Sequence, residues 1–197
     1  MPFNKILIAN RGEIAIRVMR AATELRIPAV AMFSEEDRLA LHRFKADEAY
    51  QVGRGKSPVE AYLDMDDIIR IAHDSGCDAV HPGYGFLAES PVFSDRCREA
   101  RLKFIGPNPA VMRKLGNKID ARNTAVEAGV PVVPASASLP EDKAGILAAA
   151  EKLGLPVMLK ASWGGGGRGM RVVREAAGIE DAVRMARGEA LSYFGNA

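Results

Sequence analysis

Short apolar runs alternate with helical segments along the first part of the chain, and this alternation constrains the fold more than any other feature. Residues 5–9 form a short apolar run that ends at Asn10-Arg11-Gly12, and residues 13–25 carry apolar side chains at spacings of three and four. A second apolar run follows over residues 29–33. Strand, glycine turn, helix and strand in this order form the βαβ unit from which parallel sheets are built.

The alternation continues to about residue 115. It predicts helices over residues 64–75 and 91–101 and strands over residues 77–80 and 103–106. We therefore predict an open, doubly wound parallel α/β sheet, Rossmann-like in arrangement, for residues 1–115. Ligands of such sheets bind at the carboxyl ends of the strands.

The regular alternation of strands and helices ends in the second half of the chain. A long helix is predicted over residues 112–128, so that residues 116–130 are expected to form a connecting helix. A linker or edge strand is predicted over residues 130–140. The remaining predicted elements are a helix over 141–153, strands over 156–161 and 170–174, and a helix over 178–192. Residues 131–197 thus predict the start of a small α+β module. Because a sheet of two or three strands is marginally stable, we expect this module to be incomplete.

Composition excludes several classes of partner. Lys and Arg together number 27 against 25 Asp and Glu, a net charge of +2, which gives no overall field to attract nucleic acid or a membrane. The two cysteines, Cys77 and Cys97, have no CxxC spacing and fit a reducing compartment. The start of the chain has no signal-peptide pattern, and no apolar run reaches the roughly 18 residues of a membrane span. We expect a cytoplasmic protein.

A glycine-rich segment is the strongest chemical feature of the sequence. Lys160 precedes Ala161-Ser162-Trp163, four consecutive glycines, Arg168, Gly169 and Met170. Glycines let successive backbone N–H groups converge on an anion, and a lysine at the end of the preceding strand can place its ammonium against a phosphate. A plain hairpin loop or flexible linker is the alternative interpretation, but the segment joins two predicted strands, which favours a phosphate-binding loop.

Two further features have both a functional and a structural interpretation. The turn His81-Pro82-Gly83-Tyr84-Gly85 follows a predicted strand, where it forms either a ligand site or a structural turn in which His81 satisfies backbone groups. Lys118 lies on the predicted long helix, where a lone lysine is usually solvated. His42 and His73 have polar neighbours in the sequence and are expected at the surface.

Four sequence blocks together resemble the biotin carboxylase component of biotin-dependent carboxylases, which belongs to the ATP-grasp superfamily. They occur in the order that the family has and span most of the chain: Ile8 to Ala15, His81 to Leu87, Gly116 to Lys118, and Gly164 to Met170. Within this family, residues 35–50, Trp163 and residues 116–122 are similar to those of pyruvate carboxylases.

The resemblance implies a function for several of these residues. Lys118 and Lys160 would contact the phosphates of ATP, Gly165, Gly166 and Gly167 would close over them, and Met170 would flank the nucleotide. The turn that contains His81, Gly83, Tyr84 and Gly85 would lie on the rim of the same cleft. In the family, ATP activates bicarbonate and the ureido nitrogen of biotin is carboxylated; a pyruvate carboxylase then passes the carboxyl group to pyruvate.

The resemblance also implies partners and cofactors outside this chain. The Mg²⁺ ligands and the catalytic residues are expected beyond residue 197, so none is assigned here, and biotin is expected on another domain or subunit. The expected partners are the rest of the ATP-grasp domain, the carboxyltransferase and biotin carrier domains, and further copies in a homo-oligomer. Three alternatives stay open: the biotin carboxylase of an acetyl-CoA or propionyl-CoA carboxylase, a stand-alone nucleotide-binding module, and an assembly domain.

Overall fold

The computed structural model describes residues 3–160 and 170–194. The chain divides into two compact units, Met1–Arg113 and Lys114–Ala197. The first unit contains a parallel sheet, and the second contains an antiparallel pair of strands. The glycines expected to close over the phosphates of ATP, Gly165, Gly166 and Gly167, lie outside the described residues.

The first unit is a doubly wound α/β fold. Its sheet has the strand order β3-β2-β1-β4-β5, and every neighbouring pair is parallel. In chain order its elements are β1 (Ile6–Ile8), α1 (Gly12–Glu24), β2 (Ala29–Phe33), β3 (Glu48–Gln51), α2 (Pro58–Tyr62), α3 (Met65–Asp74), β4 (Ala79–His81), α4 (Pro91–Glu99), β5 (Lys103–Phe104) and α5 (Pro109–Gly116), which crosses into the second unit. A short 3₁₀ helix, Leu41–Phe44, lies between β2 and β3.

Alternation along the strands divides the core between the two faces of the sheet. Ile6 and Ile8 of β1 pack with α1, whereas Leu7 belongs to the larger cluster that contains Ile68 of α3 and Phe93 of α4. Successive side chains of a strand point to opposite faces, so a strand with helices on both sides is apolar throughout. This is why the sheet could be predicted from uninterrupted apolar runs.

Two elements of this unit were not predicted. The strand β3 contains the polar residues Glu48 and Gln51, and its side chains are only half-buried because it lies at the edge of the sheet. The helix α2 has five residues and begins with a capping box, in which the side chains of Ser57 and Glu60 each bond the other's backbone N–H.

The long helix predicted over residues 112–128 is two helices. The helix α5 ends at Gly116, Asn117 is extended, and α6 (Lys118–Glu127) begins at the next residue. The Asn117 side-chain oxygen accepts hydrogen bonds from the backbone N–H groups of Ile119 and Asp120, at 2.8 and 3.3 Å. This N-cap satisfies two of the donors that the first turn of a helix leaves free, which makes a break at Asn117 favourable.

The second unit packs two strands against two helices. Its elements after α6 are α7 (Lys143–Leu153), β6 (Val157–Lys160), β7 (Met170–Val173), a 3₁₀ helix (Ala176–Gly178) and α8 (Ile179–Phe194). The strands are antiparallel, and Leu159 and Val173 share a buried cluster with Ile146 of α7 and Ile179 of α8. Residues 130–142 contain no regular secondary structure, so the edge strand predicted there is wrong, and the linker interpretation stays a prediction. Within residues 3–160 and 170–194, none of the helices has the length and apolar character that crossing a membrane requires.

Candidate functional site

The carboxyl edge of the first sheet has a topological switch point between β1 and β4. From the central strand β1 the chain builds β2 and β3 on one side, and β4 and β5 lie on the other. The loops that follow β1 and β4 therefore leave the sheet next to each other, joined by a hydrogen bond from Ala9 N–H to the His81 carbonyl at 2.8 Å. Doubly wound sheets bind their ligands in the crevice at such a point.

The predicted glycine turn wraps around the side chain of Asn10. The Asn10 amide group donates to the carbonyls of Pro82 and Tyr84 at 2.7 and 2.9 Å, and this side chain is fully buried. Gly83 has a φ of +65°, and its N–H donates to Nδ1 of His81 at 3.0 Å. Burial lowers the pKa of His81, so the imidazole is a neutral acceptor at neutral pH. His81 thus satisfies a backbone group, as the structural interpretation of this turn predicts. The turn lies at the switch point, and its interpretation as a ligand site stays a prediction.

Tyr84 is the exposed side chain of this turn. The residue is 61% exposed, and its hydroxyl donates to the Glu13 carboxylate at 2.5 Å. This hydrogen bond raises the pKa of the Tyr84 phenol, because the bond is lost when the phenol ionises. The site therefore presents a neutral phenol, held from the first turn of α1, to the solvent side of the crevice.

Sequence reasoning missed a polar cluster behind the turn. The Arg11 guanidinium donates to both oxygens of Asp37, at 2.6 and 2.5 Å, and the Tyr62 hydroxyl donates to the same carboxylate at 2.8 Å. Contact with Arg11 holds the pKa of Asp37 below its usual range. Tyr62 is 1% exposed, and its ring stacks on Phe86 with centroids 5.1 Å apart. The cluster thus connects the loops after β1, β2 and β4, although no spacing in the sequence indicated it.

The prediction of a surface position for His42 is wrong. His42 is 0% exposed, and its Nε2 lies 3.1 Å from the Met32 carbonyl. The short 3₁₀ helix turns this side chain under the end of β2, where burial lowers its pKa. Polar neighbours in the sequence gave no sign of this, because the burial comes from the fold of the loop. His73, by contrast, is exposed on α3, as predicted.

In the second unit, the structure brings together two of the residues predicted to bind nucleotide. Lys160, the last residue of β6, and Met170, the first residue of β7, are cross-strand partners. Both side chains are exposed, on the face of the strand pair that also carries Met158 and Val172. Partnered residues of an antiparallel pair project from the same face, so an ammonium and a thioether stand side by side where the chain enters and leaves the glycine segment.

Lys118 lies at a helix start and not in the middle of a helix. It is the first residue of α6, directly after the Asn117 N-cap, and its side chain is exposed. The amino end of a helix carries the positive end of the helix dipole, which favours a nearby anion. Lys118 therefore lies where a basic side chain adds to a favourable field for phosphate.

No metal site can be assembled from the residues that the structure describes. In residues 3–160 and 170–194, no group of three or more His, Cys, Asp and Glu side chains could hold a metal ion. Magnesium beside phosphates is usually bound by one or two carboxylates and several waters. The expectation that the Mg²⁺ ligands lie beyond residue 197 stays a prediction.

Two family models match successive parts of the chain. A model described as the N-terminal domain of biotin carboxylase matches residues 2–112, more than half of the sequence. The chain belongs to the biotin carboxylase family. A second model, the ATP-binding domain of the carbamoyl-phosphate synthase L chain, matches residues 117–197. The two matches meet close to the division between the two units.

Curated relatives of this biotin carboxylase chain include pyruvate carboxylases. The chain is 52% identical to the mitochondrial pyruvate carboxylase of Mus musculus over 195 residues, which is 99% of this chain. It is 50% identical to the pyruvate carboxylase of Bacillus subtilis over 192 residues, 98% of this chain. In both cases the match covers 17% of the relative's length.

Solved structures of biotin carboxylases share the fold. The chain matches Rhizobium etli pyruvate carboxylase with a TM-score of 0.84 and 57% identity, over 99% of this chain and 17% of that one. It matches the biotin carboxylase–beta-gamma-ATP complex from Campylobacter jejuni with a TM-score of 0.90 and 41% identity, over 98% and 43%. The biotin carboxylase domain dimer of Hydrogenobacter thermophilus 2-oxoglutarate carboxylase, with MgADP, ADP and bicarbonate, matches with a TM-score of 0.87 and 43% identity, over 98% and 42%.

Proposed function

We propose that this chain supplies part of the ATP site of a biotin carboxylase that acts within a pyruvate carboxylase. In this proposal the enzyme uses ATP and bicarbonate to carboxylate biotin, and the carboxyl group passes to pyruvate to give oxaloacetate. The relatives named pyruvate carboxylase, and the carboxylase structures with ATP-type ligands and bicarbonate, support this reaction. The chain spans 17% of the length of each of these curated relatives. In this proposal, the catalytic steps other than ATP binding take place on partner domains.

The observation that carries the proposal is the pairing of Lys160 with Met170. It places an exposed ammonium and an exposed, polarisable side chain at the two ends of the glycine segment. A lysine there can bind a phosphate as a point charge, while methionine can contact a planar base. We assign Lys118, Lys160, Gly165, Gly166, Gly167 and Met170 to nucleotide binding.

The chemistry of this part of the site is positioning and charge neutralisation. Phosphoryl transfer asks little covalent chemistry of the protein, and much of its catalysis comes from cations that hold the transferring group. Lys160 and Lys118 would supply that charge. His81, Gly83, Tyr84 and Gly85 would line the rim of the cleft, with Tyr84 as the exposed group.

A lysine substitution tests the nucleotide site. In the carboxylase that contains this chain, Lys160→Ala should raise the dissociation constant for ATP by about tenfold to a hundredfold, the effect of losing one charge-assisted contact of about 1.5–3 kcal/mol. Lys152, exposed in the last turn of α7, provides the matched control, and Lys152→Ala should leave ATP binding unchanged. Calorimetric titration with ATP measures both; equal affinities in wild type and Lys160→Ala would reject the site.

Assembly and location are further parts of the proposal. We propose a homo-oligomer, since the biotin carboxylase domain of the Hydrogenobacter thermophilus protein is described as a dimer. Sedimentation of the purified protein tests this.

The cytoplasmic location stays a prediction, because the named relatives include a mitochondrial enzyme and bacterial ones.

A further inference from the structure

Asn10 is a fully buried polar side chain at the carboxyl end of the central strand. Burying an amide without hydrogen bonds costs a few kcal/mol, so a buried asparagine is retained where its bonds are made. The Asn10 nitrogen donates to the carbonyls of Pro82 and Tyr84, and its oxygen accepts from the N–H of Arg11 at 2.8 Å. Both of its donor hydrogens thus go to one turn, the turn after β4.

The turn is shaped to fit around this amide. A Cβ atom on Gly83 would lie 2.6 Å from Nδ2 of Asn10 and 2.7 Å from Cγ2 of Ile14. Gly83 also has a φ of +65°, which side chains other than glycine rarely adopt. Only a glycine at this position lets the backbone close over Asn10, so the two residues form one fitted pair.

The outward side of the same turn carries Tyr84. Its carbonyl is held by Asn10 from inside the fold, while its hydroxyl is held by Glu13 on the surface. Tyr84 is 61% exposed, whereas Asn10 is 0% exposed and cannot reach a ligand in the crevice. The two hydrogen bonds hold Tyr84 at its backbone carbonyl and at its hydroxyl, next to the switch point between β1 and β4.

We propose that Asn10 is a positioning residue for the carboxylation reaction, acting through the turn that presents Tyr84. The inference rests on the proposed function, because it takes the turn to be a wall of the reaction cleft. Without Asn10, the carbonyls of Pro82 and Tyr84 lose their donors and the turn departs from the crevice. The reaction then slows while ATP binding, which we assign to residues of the second unit, is retained.

The first part of the test is independent of activity. Hydrogen exchange of the turn, residues 82–86, is followed by mass spectrometry in this chain for wild type, Asn10→Ala and Ser75→Ala. Ser75 is the matched control, since its buried hydroxyl donates to the Ile71 carbonyl at 2.6 Å and it precedes β4, at the amino edge of the sheet. We expect about tenfold faster exchange of the turn in Asn10→Ala only. Unchanged exchange would overturn the proposed anchoring.

The second part measures bicarbonate-dependent ATP cleavage by the carboxylase that contains the chain. Asn10→Ala should lower kcat at least about tenfold and keep the KM for ATP within about twofold, whereas Ser75→Ala keeps both. Equal losses of kcat in the two variants would show a general stability effect and overturn the inference. A full kcat in Asn10→Ala, despite faster exchange of the turn, would overturn it as well.

A surface variant covers the case in which Asn10→Ala does not fold. Glu13→Ala removes the other hydrogen bond to Tyr84 from an exposed position, so it should fold normally and lower kcat. An unchanged kcat would reject the role of Tyr84 position in the reaction. If the wild-type enzyme itself shows no bicarbonate-dependent cleavage, the proposed function fails, and the exchange experiment still decides whether Asn10 holds the turn.

Discussion

Tyr62 is the residue on which the polar cluster behind the turn depends. Its hydroxyl donates to Asp37 at 2.8 Å and accepts from the Ser34 N–H at 3.2 Å, both in buried surroundings. Tyr62→Phe keeps the ring against Phe86 but takes the acceptor from the buried Ser34 N–H and one of its donors from Asp37, which keeps its bonds to Arg11; this should cost about 1–3 kcal/mol of unfolding free energy. Urea denaturation measures this cost. The control, Tyr84→Phe, removes an exposed hydroxyl and should change the unfolding free energy by less than about 0.5 kcal/mol. Equal losses would contradict the account.

His42 makes the stability of the first unit sensitive to acid. Burial depresses its pKa, with Arg11 adding to the depression and Asp37 opposing it, whereas the unfolded chain binds a proton near pH 6.5. Below that pH the unfolded state binds more protons than the folded state, so the unfolding free energy falls as the pH is lowered from 7 to 5. His42→Gln should make this dependence less steep without removing it, since burial also lowers the pKa of His81. Urea titrations at several pH values measure the slope, and an unaltered slope in His42→Gln would reject the assignment.

At the scale of the element, the turn after β4 contains two glycines whose replacement by alanine should have different effects. At one of them only the backbone conformation is unfavourable, whereas at the other the added Cβ also meets a neighbouring side chain. Gly83 and Gly85 both have a positive φ, at +65° and +71°, so alanine at either position should lose about 1–2 kcal/mol. A Cβ on Gly83 also meets Asn10 at 2.6 Å, whereas a Cβ on Gly85 has no described atom within 4 Å. Gly83→Ala should therefore lower the unfolding free energy by about 1–3 kcal/mol more than Gly85→Ala does. Thermal unfolding of the two variants compares them, and equal losses would show that the fit around Asn10 is loose.

Elements that depend on local pattern could be predicted from the sequence, and those that depend on distant partners could not. The strands β1 and β2 were predicted because their apolar runs end at glycine or polar residues. The edge strand β3 has no such run and exists because residues 48–51 pair with residues 30–33 of β2. The turn after β4 was predicted from its position, but the role of Asn10 was not, since its partners lie 72 and 74 positions away. The helix break at Asn117 was not predicted because only the helical periodicity was considered, although an asparagine N-cap is a local sequence signal for a helix start.

On the scale of the whole molecule, the two units have cores of unequal extent. The first unit has apolar clusters on both faces of a five-stranded sheet, whereas the second, in its described residues, has one cluster behind a two-stranded sheet. Because a two-stranded sheet with little apolar cover is marginal, we expect the second unit to unfold at a lower urea concentration. Hydrogen exchange of peptides from each unit, measured across a urea series, follows the two transitions separately.

Matched core substitutions test whether the two transitions are independent. Ile146 of α7 is 5% exposed and Ile68 of α3 is 0% exposed, so alanine at either position should remove about 2–5 kcal/mol from its own unit. Ile146→Ala should lower only the urea midpoint of the second unit. Ile68→Ala should lower only the urea midpoint of the first unit, toward that of the second. Each core is built from residues of its own unit, which is the physical reason for this separation. A single transition shared by peptides of both units, and shifted by either substitution, would instead show that the units fold as one cooperative body.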